Sequence, residues 1–152
     1  MRQRIYTDTS VIGGCEDEEF REHSTRLMAR FGRGEAVLVL SDLTVRELDA
    51  APPAVRAILR AVPSEYIEML ALTPEADELA QLYVAEGVVA PAMLIDAQHI
   101  AMASVSKVDV LVSWNFKHIV NLQRIHGYNA VNLRRGYSLL EIRSPREVCD
   151  DE

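Results

Sequence analysis

Ala36-Val37-Leu38-Val39-Leu40 is an unbroken apolar run of strand length. A strand with one face in water alternates polar and apolar residues. A run without alternation predicts a strand buried on both faces, as in a parallel sheet covered by helices. Ser41 follows and is placed to cap a helix carrying Leu43, Glu47 and Leu48. Upstream, Arg4-Ile5-Tyr6-Thr7 reads as a first strand ending at Asp8. Thr9 to Cys15 reads as a loop around Gly13-Gly14, and Glu16 to Arg33 as a helix with Phe20, Leu27, Met28 and Phe31 at three- and four-residue spacings. Downstream, Pro52-Pro53 separates two helices, the second running to about Ala61. Tyr66 to Leu72 is a strand. Pro74 opens a helix to Glu86, and Leu94 to Val105 is a helix with Ala97, Ile100, Ala101 and Ser104 along one face. Asp109 to Ser113 is a strand. His118 to His126 is a helix closed by Gly127, and Ala130-Val131 and Leu139 to Ile142 are weak late strands. Strands alternating with helices imply right-handed crossovers and a mostly parallel α/β sheet. In such sheets ligands gather at the carboxyl ends of strands, near the switch in strand order.

The 152 residues, 49% hydrophobic and 26% charged, predict one domain over 1–152 with an acidic tail over about 147–152. With seven Gly and six Pro, the chain is not collagen-like, low-complexity or disordered. The longest apolar candidate, Val88 to Ile95, is broken by Pro91 and falls short of the ~18 residues of a membrane span. The first residues carry no apolar core of a secretory signal. Two cysteines, Cys15 and Cys149, make no disulfide framework, so a reduced, cytoplasmic setting is expected. The net charge of −7 disfavours generic nucleic-acid binding, but the charge is polarised. Ala61 to Ser106 holds seven acids and no Lys or Arg, whereas Lys117 to Arg146 holds six bases against Glu141 alone.

Four polar residues fall where this topology places strand ends. Asp8 closes the first strand, Glu47 lies on the helix after the second, Asp96 lies near the start of the helix preceding the Asp109 strand, and Asn115 follows that strand in Ser113-Trp114-Asn115-Phe116-Lys117. Converging carboxylates repel, and burial raises their pKa. A hard dication such as Mg²⁺ or Mn²⁺ relieves this, accepting carboxylate oxygens while keeping waters. Such a site suits phosphodiester hydrolysis.

Tyr6-Thr7-Asp8-Thr9-Ser10, Thr44-Val45-Arg46-Glu47-Leu48, Asp96-Ala97-Gln98-His99-Ile100-Ala101 and Val110-Leu111-Val112-Ser113-Trp114-Asn115-Phe116 together resemble a PIN domain, closest to the VapC-type toxins of toxin–antitoxin systems. The resemblance covers Ile5 to about Ile142. It implies a three-layer α/β/α sandwich around a mostly parallel five-stranded sheet and an Mg²⁺- or Mn²⁺-dependent endoribonuclease. By that resemblance Asp8, Glu47 and Asp96 are the metal-binding and catalytic acids. Asn115 assists where the family often has a fourth acid. It also implies a homodimer and an antitoxin partner whose C-terminal segment fills the acidic cleft. Arg46, His99, Ser113, Trp114 and Lys117 are candidate RNA contacts. For most of them the bland alternative is packing or surface charge: a histidine three residues after Asp96 is commonly a packed, hydrogen-bonded group, and a lone Trp beside a core strand commonly fills space.

Two other classes compete. A non-catalytic PIN-like RNA- or protein-binding module accounts for Asn115 and the acidic charge. A receiver-type signalling domain accounts for Asp8 but needs an acidic pair before it, and Ile5-Tyr6-Thr7 offers none. Neither a Walker A loop nor G-x-G-x-x-G is present.

Overall fold

The computed structural model describes residues 2–149. In chain order it runs β1 (Gln3–Thr7), α1 (Thr9–Gly14), α2 (Arg21–Gly32), β2 (Ala36–Ser41), α3 (Asp42–Asp49), α4 (Pro53–Arg60) and a 3-10 turn at Ser64–Tyr66. It continues through β3 (Ile67–Leu70), α5 (Pro74–Ala85), a second 3-10 turn at Pro91–Met93, α6 (Leu94–Val105), β4 (Val110–Val112), α7 (Leu122–Arg134), β5 (Ile142–Arg143) and α8 (Pro145–Cys149). The five strands form one all-parallel sheet in the order β3-β2-β1-β4-β5.

Successive strand side chains point to opposite faces, and here both faces are apolar. Ile5, Leu38, Leu40, Val110 and Val112 enter one core with Val11 and Ile12 of α1, Leu27 and Phe31 of α2, and Val55 of α4. Their neighbours Tyr6, Val39 and Leu111 enter a second core with Leu79 and Tyr83 of α5, Ile100 and Met102 of α6, and Tyr128 and Val131 of α7. The expected three-layer α/β/α sandwich is therefore formed. Among the described residues no helix is long and apolar enough to cross a membrane. Cys15 and Cys149 are buried free thiols.

Strand order positions the site. The chain adds β2 and then β3 on one side of β1, then returns to place β4 on the other side. The reversal falls between β1 and β4, paired in register from Ile5↔Val110 to Thr7↔Val112. At their carboxyl ends Asp8 N donates to Val112 O at 3.3 Å. A parallel sheet opens its ligand crevice at this point.

Several segments differ from expectation. Thr9–Gly14 is a helix rather than a loop, because Val11 and Ile12 bury completely against the sheet and that burial outweighs the low helix propensity of Gly13-Gly14. α2 starts at Arg21 rather than Glu16. The expected helix at His118–His126 begins instead at Leu122, where the Asn121 side chain accepts from Arg124 N, and it runs to Arg134. Gly127 does not stop it: a Cβ there would lie 2.8 Å from Val88 Cγ1, so this glycine permits a close approach. Ala130-Val131 is accordingly helical, and the last strand is only Ile142–Arg143. Glu147 to Cys149 of the expected tail belong to α8; residues 150–152 lie outside the described residues.

Candidate functional site

Asp8 is the residue at which β1 becomes α1, with extended backbone. Its side chain is 6% exposed. Ser10 Oγ donates to Oδ1 at 2.6 Å and Ser113 Oγ donates to Oδ2 at 2.5 Å. Each serine oxygen in turn accepts a backbone N–H from the β4 end: Trp114 N to Ser10 Oγ and Asn115 N to Ser113 Oγ, both at 2.9 Å. The two chain segments at the switch point are thereby bound together through one carboxylate. Burial pushes the Asp8 carboxyl above the ordinary carboxylate range, opposed by the two serine hydroxyls and by His99.

Glu47 sits on α3, whose start is fixed by Ser41: its hydroxyl accepts from Thr44 N, and Ser41 N donates to Thr44 Oγ1. The Glu47 Oε1 oxygen accepts from Thr9 Oγ1 and from His99 Nε2, both at 2.9 Å. The other His99 nitrogen, Nδ1, lies 2.5 Å from the Tyr6 hydroxyl, which also meets Ser41 Oγ at 2.8 Å. Burial pushes Glu47 up, but the His99 hydrogen bond and charge and the Thr9 hydroxyl outweigh it and leave the carboxyl below its usual range.

Asp96 lies in the first turn of α6. Burial raises its pKa, the charges of His99 and His118 lower it, and the charge of Glu47 raises it. Asn115 Nδ2 approaches Asp96 Oδ2 at 3.4 Å while Asn115 Oδ1 accepts from His118 N at 3.0 Å. The amide thus presents its nitrogen to Asp96 and spends its oxygen on the loop. A carboxamide here gives Asp96 a donor, where a fourth acid would add repulsion.

The structure also sorts the candidate RNA contacts. His99, 2% exposed, has both nitrogens engaged internally and cannot reach a phosphate. Ser113 is fully buried against Asp8. The Trp114 indole stacks on Phe20 at 4.3 Å between centroids, and its Nε1 donates to Ser24 Oγ at 2.8 Å. All three of these candidate RNA contacts thus engage partners within the protein. Arg46 and Lys117 are exposed. Sequence reasoning missed the Tyr6 hydroxyl as a partner of His99 and Ser41, the Thr9 bond to Glu47, and His118, whose Nδ1 is buried without a hydrogen-bond partner among the described residues. The signal for Ser10 was its position two residues past a strand-end aspartate, an ordinary Asx-type spacing.

Among the described residues, no three His, Cys, Asp or Glu side chains are grouped so that together they could hold a metal ion. The donor chemistry nevertheless suits a hard dication. Asp8, Glu47 and Asp96 offer carboxylate oxygens, and the positive charges that act on them are those of histidines. Mg²⁺ is commonly held by one or two carboxylates with its remaining positions left to water and phosphate, so it does not require a closed cage.

No protein-family model matches the chain, and no curated protein matches it. Solved structures do. Over 70% of this chain and 86% of the other, it superposes with a TM-score of 0.53 and 17% identity on VapC20 of Mycobacterium tuberculosis, a toxin that cleaves the sarcin–ricin loop. Over 93% of this chain and 98% of the other, it superposes with a TM-score of 0.58 and 9% identity on a chain of VapBC2 from Rickettsia felis, solved with a DNA fragment of their promoter. The chain has the PIN-domain fold of the VapC proteins. In this VapC-like fold, Asp8 and Ser113 lie at the carboxyl ends of the two central strands, and Glu47 and Asp96 flank them from α3 and α6.

Proposed function

We propose that the chain is a metal-dependent endoribonuclease, the toxin of a toxin–antitoxin pair, with Asp8, Glu47 and Asp96 as metal-binding and catalytic acids. The observation that carries this reading is that His99 bonds Glu47 and its charge also acts on Asp8 and Asp96, both held above the usual range by burial. A bound Mg²⁺ or Mn²⁺ would supply charge stabilisation at the scissile phosphate and a water of lowered pKa. The chain's own groups do the positioning. Ser10 and Ser113 hold the Asp8 carboxylate, His99 and Thr9 hold Glu47, and Asn115 aims its nitrogen at Asp96. Arg46 and Lys117, exposed near the same edge, are the phosphate contacts of this reading. Hydrolysis would leave a 5′-phosphate and a 3′-hydroxyl. The partners are an RNA substrate, an antitoxin with an Arg reaching the carboxylates, and a second copy of the chain, in the cytoplasm.

The test is cleavage of structured RNA by the purified chain with Mn²⁺, with chelator, and with Asp8→Asn or Asp96→Asn. The expected outcome is turnover abolished by chelator and by either substitution. Undiminished Mn²⁺-dependent cleavage in the substituted proteins rejects the assignment. Size-exclusion with light scattering tests the dimer, and a monomer at micromolar concentration counts against it. A second reading, a PIN-like module that binds RNA or protein without catalysis, rests on the Asn115 oxygen being occupied and on the open ligand set. It predicts RNA binding with no metal-dependent turnover.

A further inference from the structure

Where the chain leaves β4, a cavity of about 320 Å³ is walled by Phe20, Trp114 and Phe116 and edged by Glu19, Arg146 and Glu147. This is within the ~300–1,000 Å³ range of small-molecule sites. Its aromatic wall is built, not incidental. Gly14 has no Cβ because one would lie 2.8 Å from Trp114 Nε1, so the indole seats against α1 and bonds Ser24. Phe20 stacks on it nearly parallel, at 18°. Phe116 meets it edge-on at 6.1 Å and 61°, yet stays 50% exposed. A large ring held half in water at the mouth of an aromatic cavity is a stacking platform in want of a second ring. The cavity's polar edge supplies both hydrogen-bond senses, a guanidinium that donates and carboxylates that accept, which are the complements of base carbonyls and exocyclic amines.

We propose that this cavity is a nucleobase subsite for single-stranded RNA, with Phe116 as the stacking ring and Arg146 and the two glutamates meeting the base edge. Stacking on aromatic rings is how proteins hold unpaired bases. The link to the carboxylates is two hydrogen bonds long: Trp114 N donates to Ser10 Oγ, which donates to Asp8. A base seated here would place its own backbone phosphate toward the carboxylate edge. The subsite deepens the ribonuclease reading and rests on it for its ligand class.

Trp114 is the single tryptophan of the chain, so its emission reports on the cavity wall. The experiment uses the full chain, wild type in chelator and separately Asp96→Asn, titrated with a fluorescently end-labelled single-stranded oligoribonucleotide. Anisotropy of the label reads binding, and Trp114 emission reads the cavity. The expected result is saturable binding accompanied by a change in Trp114 emission. Phe116→Ala should weaken binding about tenfold, the loss of one stacked base, and Phe116→Tyr should restore it. RNA binding with Trp114 emission unmoved, or with Phe116→Ala unchanged in affinity, overturns the subsite and leaves the nuclease reading standing. No RNA binding at all overturns both. Binding with the emission change but without Mn²⁺-dependent cleavage by the wild type supports the subsite and overturns only the catalytic reading.

Discussion

The two ends of the parallel sheet treat charge in opposite ways. At the amino end, Arg4 of β1 meets Glu68 of β3 through Nε at 2.8 Å and a second nitrogen at 2.6 Å. It also donates to the Ser106 and Lys107 carbonyls, and its backbone N–H donates to Asp109 Oδ2 at 2.7 Å. The Arg4 hydrogen bond pulls Glu68 below the usual carboxylate range. At the carboxyl end, Asp8 and Asp96 are held above that range by burial, opposed by hydroxyls, histidines, the Val11 backbone and the Asn115 amide. One end is neutralised by an arginine within the chain; the other holds carboxylates that meet hydroxyls and a histidine rather than an arginine or lysine. Neutralised ends serve stability, whereas a buried charge left without its counter-ion marks a place where a ligand completes the electrostatics.

The largest expected effect breaks the carboxyl end. Asp8→Asn should lower RNA cleavage by roughly 1,000-fold, comparable to removing a principal electrostatic group from an active site, measured as single-turnover rates with Mn²⁺. The same substitution should raise the melting temperature at neutral pH. Because burial raises the folded-state pKa of Asp8 and Asp96 above the ordinary 3.8, the folded protein binds more protons than the unfolded chain between the two values. Their contribution is therefore fully present below the ordinary value and is lost as pH rises through the folded one. Glu47, lowered in the fold, has the opposite sign and its contribution is lost as pH falls. Asp96→Asn should accordingly flatten the loss of stability on raising pH, by about 2–4 °C for each kcal/mol relieved; a lower melting temperature at pH 7 in both variants would contradict this.

The positioning network comes next. Tyr6→Phe removes the hydroxyl between His99 and Ser41 and leaves buried polar groups unpaired, so it should cost about 1–3 kcal/mol of stability. It should also slow cleavage about 10–100-fold, as loss of an orienting partner does. Unchanged cleavage in a destabilised Tyr6→Phe would assign the network to stability alone. A smaller change is expected from Gly14→Ala, which forces a Cβ against Trp114 Nε1 and Ser24. It should cost about 1–3 kcal/mol and shift Trp114 emission. The smallest effect belongs to the amino end. Arg4→Met should cost about 1 kcal/mol, since the Arg4 and Glu68 side chains are 30% and 37% exposed and their attraction is screened, with cleavage unaltered. A loss of cleavage there would break the contrast between the two ends.

The strand-end acids were legible because their cause is local. Asp8 directly follows an apolar strand, and Asp96 opens a helix whose range, Leu94–Val105, the sequence pattern predicts to the residue. The sheet was legible from Ala36 to Leu40 for the same reason: a buried parallel strand writes its environment in consecutive residues. What was not legible depends on contacts distant in sequence. Gly13-Gly14 reads as a loop because propensity says so, and the need for a glycine at 14 comes from Ser24 and from Trp114, 100 positions away. Gly127 reads as a stop because its partner is Val88 on another segment. His99 and Ser113 read equally as RNA contacts or internal hydrogen-bonding groups, and nothing near them in sequence decides that Glu47 and Asp8 hold them.

The central claim is that negative charge gathered at the switch point is relieved by a dication. Calorimetric titration of the metal-free chain with Mn²⁺, run beside Asp8→Asn, tests it most directly. The account predicts saturable binding by the wild type and its loss in the variant, with a rise in stability of about 2.7 kcal/mol when Mn²⁺ reaches 100 times its Kd. No heat of binding and no thermal shift in the folded wild type would contradict it.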